Sequence, residues 1–207
     1  MNPHLAWYVA RASGIVSWAL VTLSVVWGLL VSTRSLAKRP GRGWVLDLHR
    51  FLGAFGLVFT AVHVGAIVAD SYVHFGVADV LVPFASRWRP AAVAYGIVAL
   101  YLILAVEITS RLQRRLPRRV WRGVHYLSFP LWVLVTVHLF TAGADSASPW
   151  LRYAALGAAA TVTGLVVFRL ALPRRPRPRP RPERKRPCPT TTPSPAPSPS
   201  SASPRSR

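Results

Sequence analysis

Long apolar blocks separated by short charged segments organise this chain. A soluble helix alternates apolar and polar positions on a 3.6-residue period, whereas a bilayer asks for about 20 predominantly apolar residues in a row. Five blocks meet that demand, roughly Gly14 to Val31, Leu46 to Ala69, Pro90 to Ile108, Val120 to Ala142 and Tyr153 to Leu172. Backbone polar groups in hydrocarbon must be satisfied internally, so blocks this rich in Leu, Val and Ala predict helices. The expected fold is an all-α polytopic membrane bundle with five transmembrane helices over residues 1–172. The first block lacks the basic start and small-residue cleavage site of a signal peptide and is followed by Arg34, Lys38 and Arg39; it reads as a retained helix. The connections read as a basic loop, a 20-residue loop over 70–89, a second basic loop and a loop over 143–152.

After Leu172 the composition changes. Pro173 to Arg186 alternates Pro with Arg, and Pro, Ser and Thr fill the remainder. Nothing there can build a core, so residues 173–207 are expected to form a disordered cytoplasmic tail, with a lipid- or partner-binding basic strip as the other reading.

Charge then sets an orientation. The formal net charge is +20, which in a soluble chain points to nucleic acid. Here the cations collect in segments that five spans place on one side. Arg34, Lys38, Arg39, Arg42 and Arg50 follow the first block. Arg111, Arg114, Arg115, Arg118, Arg119 and Arg122 separate the third from the fourth, and the tail carries ten more. Positive charge stays on the cytoplasmic side, so the N-terminus is expected outside and the C-terminus in the cytoplasm. The charge is thereby a topology signal and a contact with anionic lipid, with no nucleic-acid partner required. The single cysteine, Cys188, and the absence of a CxxCH sequence exclude covalent c-type haem attachment.

Candidate chemistry lies in the histidines. His49 and His63 stand 14 residues apart on the second block, His125 and His138 13 apart on the fourth. Both blocks run the same way, so His49 and His125 share one depth and His63 and His138 another, roughly 20 Å away at 1.5 Å per residue. Ionisable residues at membrane depth are costly and usually functional. Facing imidazoles on neighbouring helices clamp a haem iron from both sides. A stripe of small residues, Gly53, Gly56 and Thr60, joins His49 to His63. It reads either as a flat wall for a macrocycle or as a close helix–helix seam. On the fourth block, 13 residues leave the histidines out of phase, and Pro130 between them predicts a bend or local rewinding.

The sequences LDLHRFLGAFGLVFTAVHV (Leu46 to Val64) and WRGVHYLSFPLWVLVTVHLF (Trp121 to Phe140) carry this pattern. In it the chain resembles the ferric reductase-like transmembrane domain, the family of ferric reductases, NADPH oxidases and bacterial haem-containing membrane subunits. The resemblance covers about Arg11 to Thr141. It implies that His49 with His125 ligates an inner haem b and His63 with His138 an outer one. Two haems are expected and one is the lesser alternative. Relatives with six spans or an attached flavin and nicotinamide domain differ from this chain, which shows five blocks and no Gly-rich dinucleotide fingerprint. Electrons would come from a separate donor, a flavoprotein or quinol, and leave to an outer acceptor such as Fe(III), oxygen or a partner oxidoreductase.

Lesser candidates surround these. Arg50 and Arg122 flank the inner ligands and suit haem propionates, or simply snorkel to the interface. Glu107 suits proton handling, or pairs with Arg111 four residues on. Asp70, His74, Asp79, Arg87, Trp88 and Arg89 mark where an outside substrate would dock, or are ordinary loop polarity. The expected function is electron transfer through two b-type haems; the alternatives are a haem-free membrane assembly subunit and a metal transporter.

Overall fold

The computed structural model describes residues 4–33, 42–70 and 75–172. Arg34, Lys38, Arg39, His74 and the expected tail at 173–207 lie outside the described residues, as does the side chain of Arg42. The described residues hold seven helices in order: α1 (Leu5–Ser32), α2 (Arg42–Ala69), α3 (Val77–Leu81), α4 (Pro90–Arg111), α5 (Arg118–Tyr126), α6 (Ser128–Ala142) and α7 (Pro149–Ala171). Among the described residues all regular structure is helical. Five stretches are long and apolar enough to cross a membrane: α1, α2, α4, α5 with α6, and α7. This is an integral membrane helix bundle. α4 and α7 begin on Pro90 and Pro149, whose missing N–H falls where a helix has no acceptor for it. The end bearing Arg111, Arg118 and Arg122 is here called the basic end, and the opposite one the far end.

α1 is the hub, packing against α2, α6 and α7. Its Trp18 meets Leu139, Leu151 and Ala155, Val21 meets Ala99, Ile103 and Leu131, and Val25 and Leu29 meet Val162. Helices in lipid gain no hydrophobic drive from touching one another, so close packing and hydrogen bonds must hold them. The α1–α6 seam has a reciprocal pair of such bonds: Trp18 Nε1 donates to Thr136 Oγ1 and Trp132 Nε1 to Thr22 Oγ1, each at 3.1 Å. α2 turns an apolar stripe outward, with Phe51, Phe55, Val58 and Val62 exposed at steps of four and three. α1 and α4 each pack against both α2 and α6, while α2 and α6 share no extended contact. A slot between α2 and α6 is therefore walled by α1 and α4.

The fourth span is broken where Pro130 requires. Pro130 has no N–H for the Tyr126 carbonyl, and its ring crowds that oxygen. α5 accordingly stops at Tyr126 and α6 starts at Ser128. Between them the Leu127 N–H closes a tight turn onto the Val124 carbonyl at 2.9 Å. In an unbroken helix His125 and His138 would point about 140° apart; the break absorbs that difference.

The connection over 70–89 differs from the plain loop expected. It contains α3, which packs against both α2 and α4.

Candidate functional site

The four histidines meet in two pairs. The rings of His49 and His125 lie 6.0 Å apart between centroids, with planes at 77°. Those of His63 and His138 lie 6.3 Å apart at 85°. An imidazole nitrogen sits about 2 Å from a metal it ligates and about 1.1 Å from its own ring centre, so two imidazoles on opposite sides of one iron have centroids about 6.2 Å apart. Both pairs match that spacing. Among the described residues no three His, Cys, Asp or Glu side chains converge as a bare ion would require. Two axial imidazoles suit an iron whose other four positions belong to a macrocycle.

Helices that carry no paired histidine orient the rings. His63 Nδ1 bonds the Ala10 carbonyl of α1 at 2.7 Å, and His138 Nδ1 bonds the Ala92 carbonyl of α4 at 2.7 Å. A carbonyl only accepts, so Nδ1 carries the proton in each ring and the Nε2 lone pair is left for a metal. Four residues beyond each acceptor stands a glycine. A Cβ on Gly14 would lie 2.8 Å from His63 Nδ1, and one on Gly96 2.7 Å from His138 Cε1. The missing side chain lets the ring lie on the helix and reach the carbonyl one turn back. At the basic end His49 rests on Gly28, where a Cβ would come within 3.1 Å of its Cε1. Its Nδ1 is 3.4 Å from Ser24 Oγ, four residues before that glycine. His125 has no such cradle. Its ring stacks on Trp121 at 5.4 Å and 24°, and its buried Nδ1 has no hydrogen-bond partner among the described residues.

These contacts belong to one antiparallel register of α1 on α2. Gly14 faces His63, Ser17 bonds Thr60 at 2.7 Å, Val21 faces Gly56, Ser24 faces Gly53 and Gly28 faces His49. The small stripe, read either as a macrocycle wall or as a close helix–helix seam, thus lies along α1. A Cβ on Gly56 would sit 3.4 Å from Val21 Cγ2, whereas Gly53 also borders the cavity below and a Cβ there would strike the Glu107 carboxylate.

That cavity, about 910 Å³, opens around His49 and His125 at the basic end. Its volume suits an organic cofactor. Arg50, Arg111, Arg114, Arg122 and Arg169 line it. Arg50 pairs with Asp47 at 3.2 Å, and Glu107 pairs with Arg111 at 3.4 Å. Arg122 and Arg169 face the Tyr126 hydroxyl. The other lesser candidates hold the loop together: the Asp79 carboxylate accepts from the Gly76 N–H at 2.9 Å, and Arg89 Nη1 donates to the Thr141 carbonyl at 2.8 Å. Asp70 ends the described part of the α2 side, and Arg87 and Trp88 are exposed.

Sequence reasoning passed over Gly14, Gly28 and Gly96. The signal was present: Gly14 and Gly28 are spaced as His49 and His63 are, which is what an antiparallel partner helix needs.

A relative from Rhodospirillum rubrum, "Protein-methionine-sulfoxide reductase heme-binding subunit MsrQ", is 28% identical over 142 residues, covering 63% of this chain and 65% of that protein. The chain thus spans a little under two thirds of that relative's length. No solved structure matches. The family described as "Ferric reductase like transmembrane component" matches residues 13–136, more than half of the chain, a range that includes His49, His63 and His125 and ends two residues before His138. By that match, the chain belongs to the ferric reductase like transmembrane component family.

Proposed function

We propose that the chain is a transmembrane electron-transfer subunit holding two b-type haems in the slot between α2 and α6, one at each end. The observation that carries this reading is the pair of imidazole separations, 6.0 and 6.3 Å, on one pair of helices. When bound, haem supplies a one-electron carrier that a polypeptide lacks. The chain's own residues supply the rest. His49 with His125, and His63 with His138, would supply the imidazole nitrogens that hold it. The Ala10 and Ala92 carbonyls fix the far-end tautomers and make those imidazoles better donors. Arg50 and Arg122 border the basic-end cavity and offer guanidinium groups to carboxylates there. Gly53 keeps part of the cavity wall free of bulk, and Gly56 holds α2 close to α1.

Orientation follows from charge, with the basic end in the cytoplasm and the N-terminus outside. Electrons enter from a separate donor, a flavoprotein or quinol, and leave at the far end to an outer acceptor. The relative's name, a heme-binding subunit of a sulfoxide reductase, favours a partner oxidoreductase as that acceptor over Fe(III) or oxygen.

The test is a reduced-minus-oxidised absorbance spectrum of the purified protein, with a pyridine haemochrome assay. Two b-type haems per chain are expected, falling to one in His63→Ala and in His125→Ala. A colourless protein after expression with ample haem would overturn the reading in favour of a haem-free assembly subunit.

A further inference from the structure

We propose that residues 75–89 form a re-entrant loop whose tip, Val80 to Ala85, inserts among the lipid acyl chains of the far-end leaflet. The inference is independent of whether haem is bound.

Depth is the first argument. The Leu81 carbonyl accepts a hydrogen bond from the Tyr101 hydroxyl. Tyr101 lies eleven residues beyond Pro90, the start of α4, which places its Cα about 16 Å below the helix start. Helical side chains lean back toward the N-terminus, which returns some of that distance. Leu81 still ends well below Pro90, at about the level of Gly96 and His138. The limbs of the loop meet above it: the Phe75 and Trp88 rings touch at 6.2 Å, and Arg89 is tied to Thr141 near the far end of α6. A chain that meets at the top and reaches down beside α4 is a hairpin entering the bilayer.

Chemistry is the second argument. Leu81, Val82 and Phe84 are 46%, 52% and 68% exposed. The other tip residues are Val80, Pro83 and Ala85, so no charged or hydroxyl side chain lies between Val80 and Ala85. The flanks are polar: Arg87 and Arg89 follow, and the Asp79 carboxylate turns back to the Gly76 N–H. Trp88 sits between two arginines with Arg89 over its ring, the amphipathic pattern of a membrane interface. In water this would be an exposed apolar knob; in lipid it matches the outward faces of α2 and α4.

Backbone satisfaction is the third. Non-helical chain is tolerated at membrane depth only where its polar groups are paired or packed against protein. Tyr101 takes the Leu81 carbonyl, Val82 N–H bonds the Ala78 carbonyl at 2.8 Å, Ala85 N–H bonds the Val82 carbonyl at 3.2 Å, and Pro83 has no N–H. Phe84 turns the chain with φ 67°, a left-handed conformation that bulky residues avoid. Its ring is thereby sent outward, although a glycine would make the turn more cheaply. α3 packs on both α2 and α4, so the loop covers the seam between them.

The test places single nitroxide labels on the full chain in proteoliposomes, in a Cys188→Ser background. Labels at Leu81→Cys and Phe84→Cys are compared with Val133→Cys, on the outer face of α6, and Ala144→Cys, in the far-end loop. Relaxation by oxygen, which concentrates in lipid, is read against relaxation by a water-soluble nickel chelate. The tip labels are expected to behave like Val133, with nickel at least fivefold less effective than at Ala144. Nickel accessibility equal to that at Ala144 would overturn the proposal in favour of an aqueous loop. Protection from both reagents would overturn it in favour of cover by protein. Tyr101→Phe, which keeps the ring and loses only the hydroxyl, should raise nickel accessibility at Phe84 at least twofold; no change would overturn the anchoring role of that bond.

Discussion

The two histidine pairs have nearly the same ring separation but are held by opposite means. At the far end each ring lies on a glycine and bonds a backbone carbonyl at 2.7 Å, so helix geometry alone dictates its tautomer and direction. At the basic end His49 has a looser seat and a 3.4 Å contact to a serine, while His125 is held by an indole face and finds no partner for Nδ1 among the described residues. The far end is built from main chain, which sequence change does not easily disturb. The basic end is built from side chains around a cavity ringed by arginine. One fold can thus fix one site firmly and leave the other adjustable, and the adjustable one borders the large opening.

Several substitutions would break or sharpen that contrast. The largest effect is expected from removing both α2 ligands, His49→Ala with His63→Ala, which should abolish haem binding; His63→Ala alone should remove one haem and leave the basic-end spectrum unchanged. Next come the cradles. Gly14→Ala and Gly96→Ala push a Cβ into a ring backed by main chain, and far-end haem retention should fall about tenfold, equivalent to about 1.4 kcal/mol. Gly28→Ala meets a ring with more room and should cost less than Gly96→Ala when the two are titrated side by side with a competing apo-haem acceptor. Equal losses at the two ends would erase the proposed distinction. Trp121→Ala should weaken basic-end retention about two- to tenfold, as loss of a stacked aromatic pair worth about 0.5–1.5 kcal/mol implies, and alter only the basic-end haem's low-temperature spectrum. The smallest effect is expected from Arg50→Gln, because that guanidinium is solvated and already paired with Asp47. Its loss should weaken haem binding by a few-fold at most and less at high salt.

The sequence carried much of this architecture for identifiable reasons. Long apolar runs admit only helices, and the five spans stand where the blocks lie, with α1 beginning earlier, at Leu5. The four histidines were legible because polar residues are rare at that depth. Pro130 foretold an interruption, and the helix breaks four residues before it, at the carbonyl it cannot serve. What stayed hidden was relational. Gly14, Gly28 and Gly96 look like ordinary membrane-helix glycines until the neighbour that lies on each is known. The stripe through Gly53 and Gly56 was correctly seen as small, but periodicity does not say whether α1 or a cofactor occupies it. The loop over 70–89 read as polar because its charges mark both ends, and its apolar tip is too short to register as a span.

The antiparallel match of Gly14 to His63 and Gly28 to His49 also governs which insertions and deletions the gene can accept. One residue added or lost between Gly14 and Gly28 rotates one end of α1 by about 100° relative to the other. At most one glycine then stays seated, and the other histidine faces a side chain. A library of single-residue insertions should therefore show a sharp block of intolerance across the middle of α1, bounded by its two glycines.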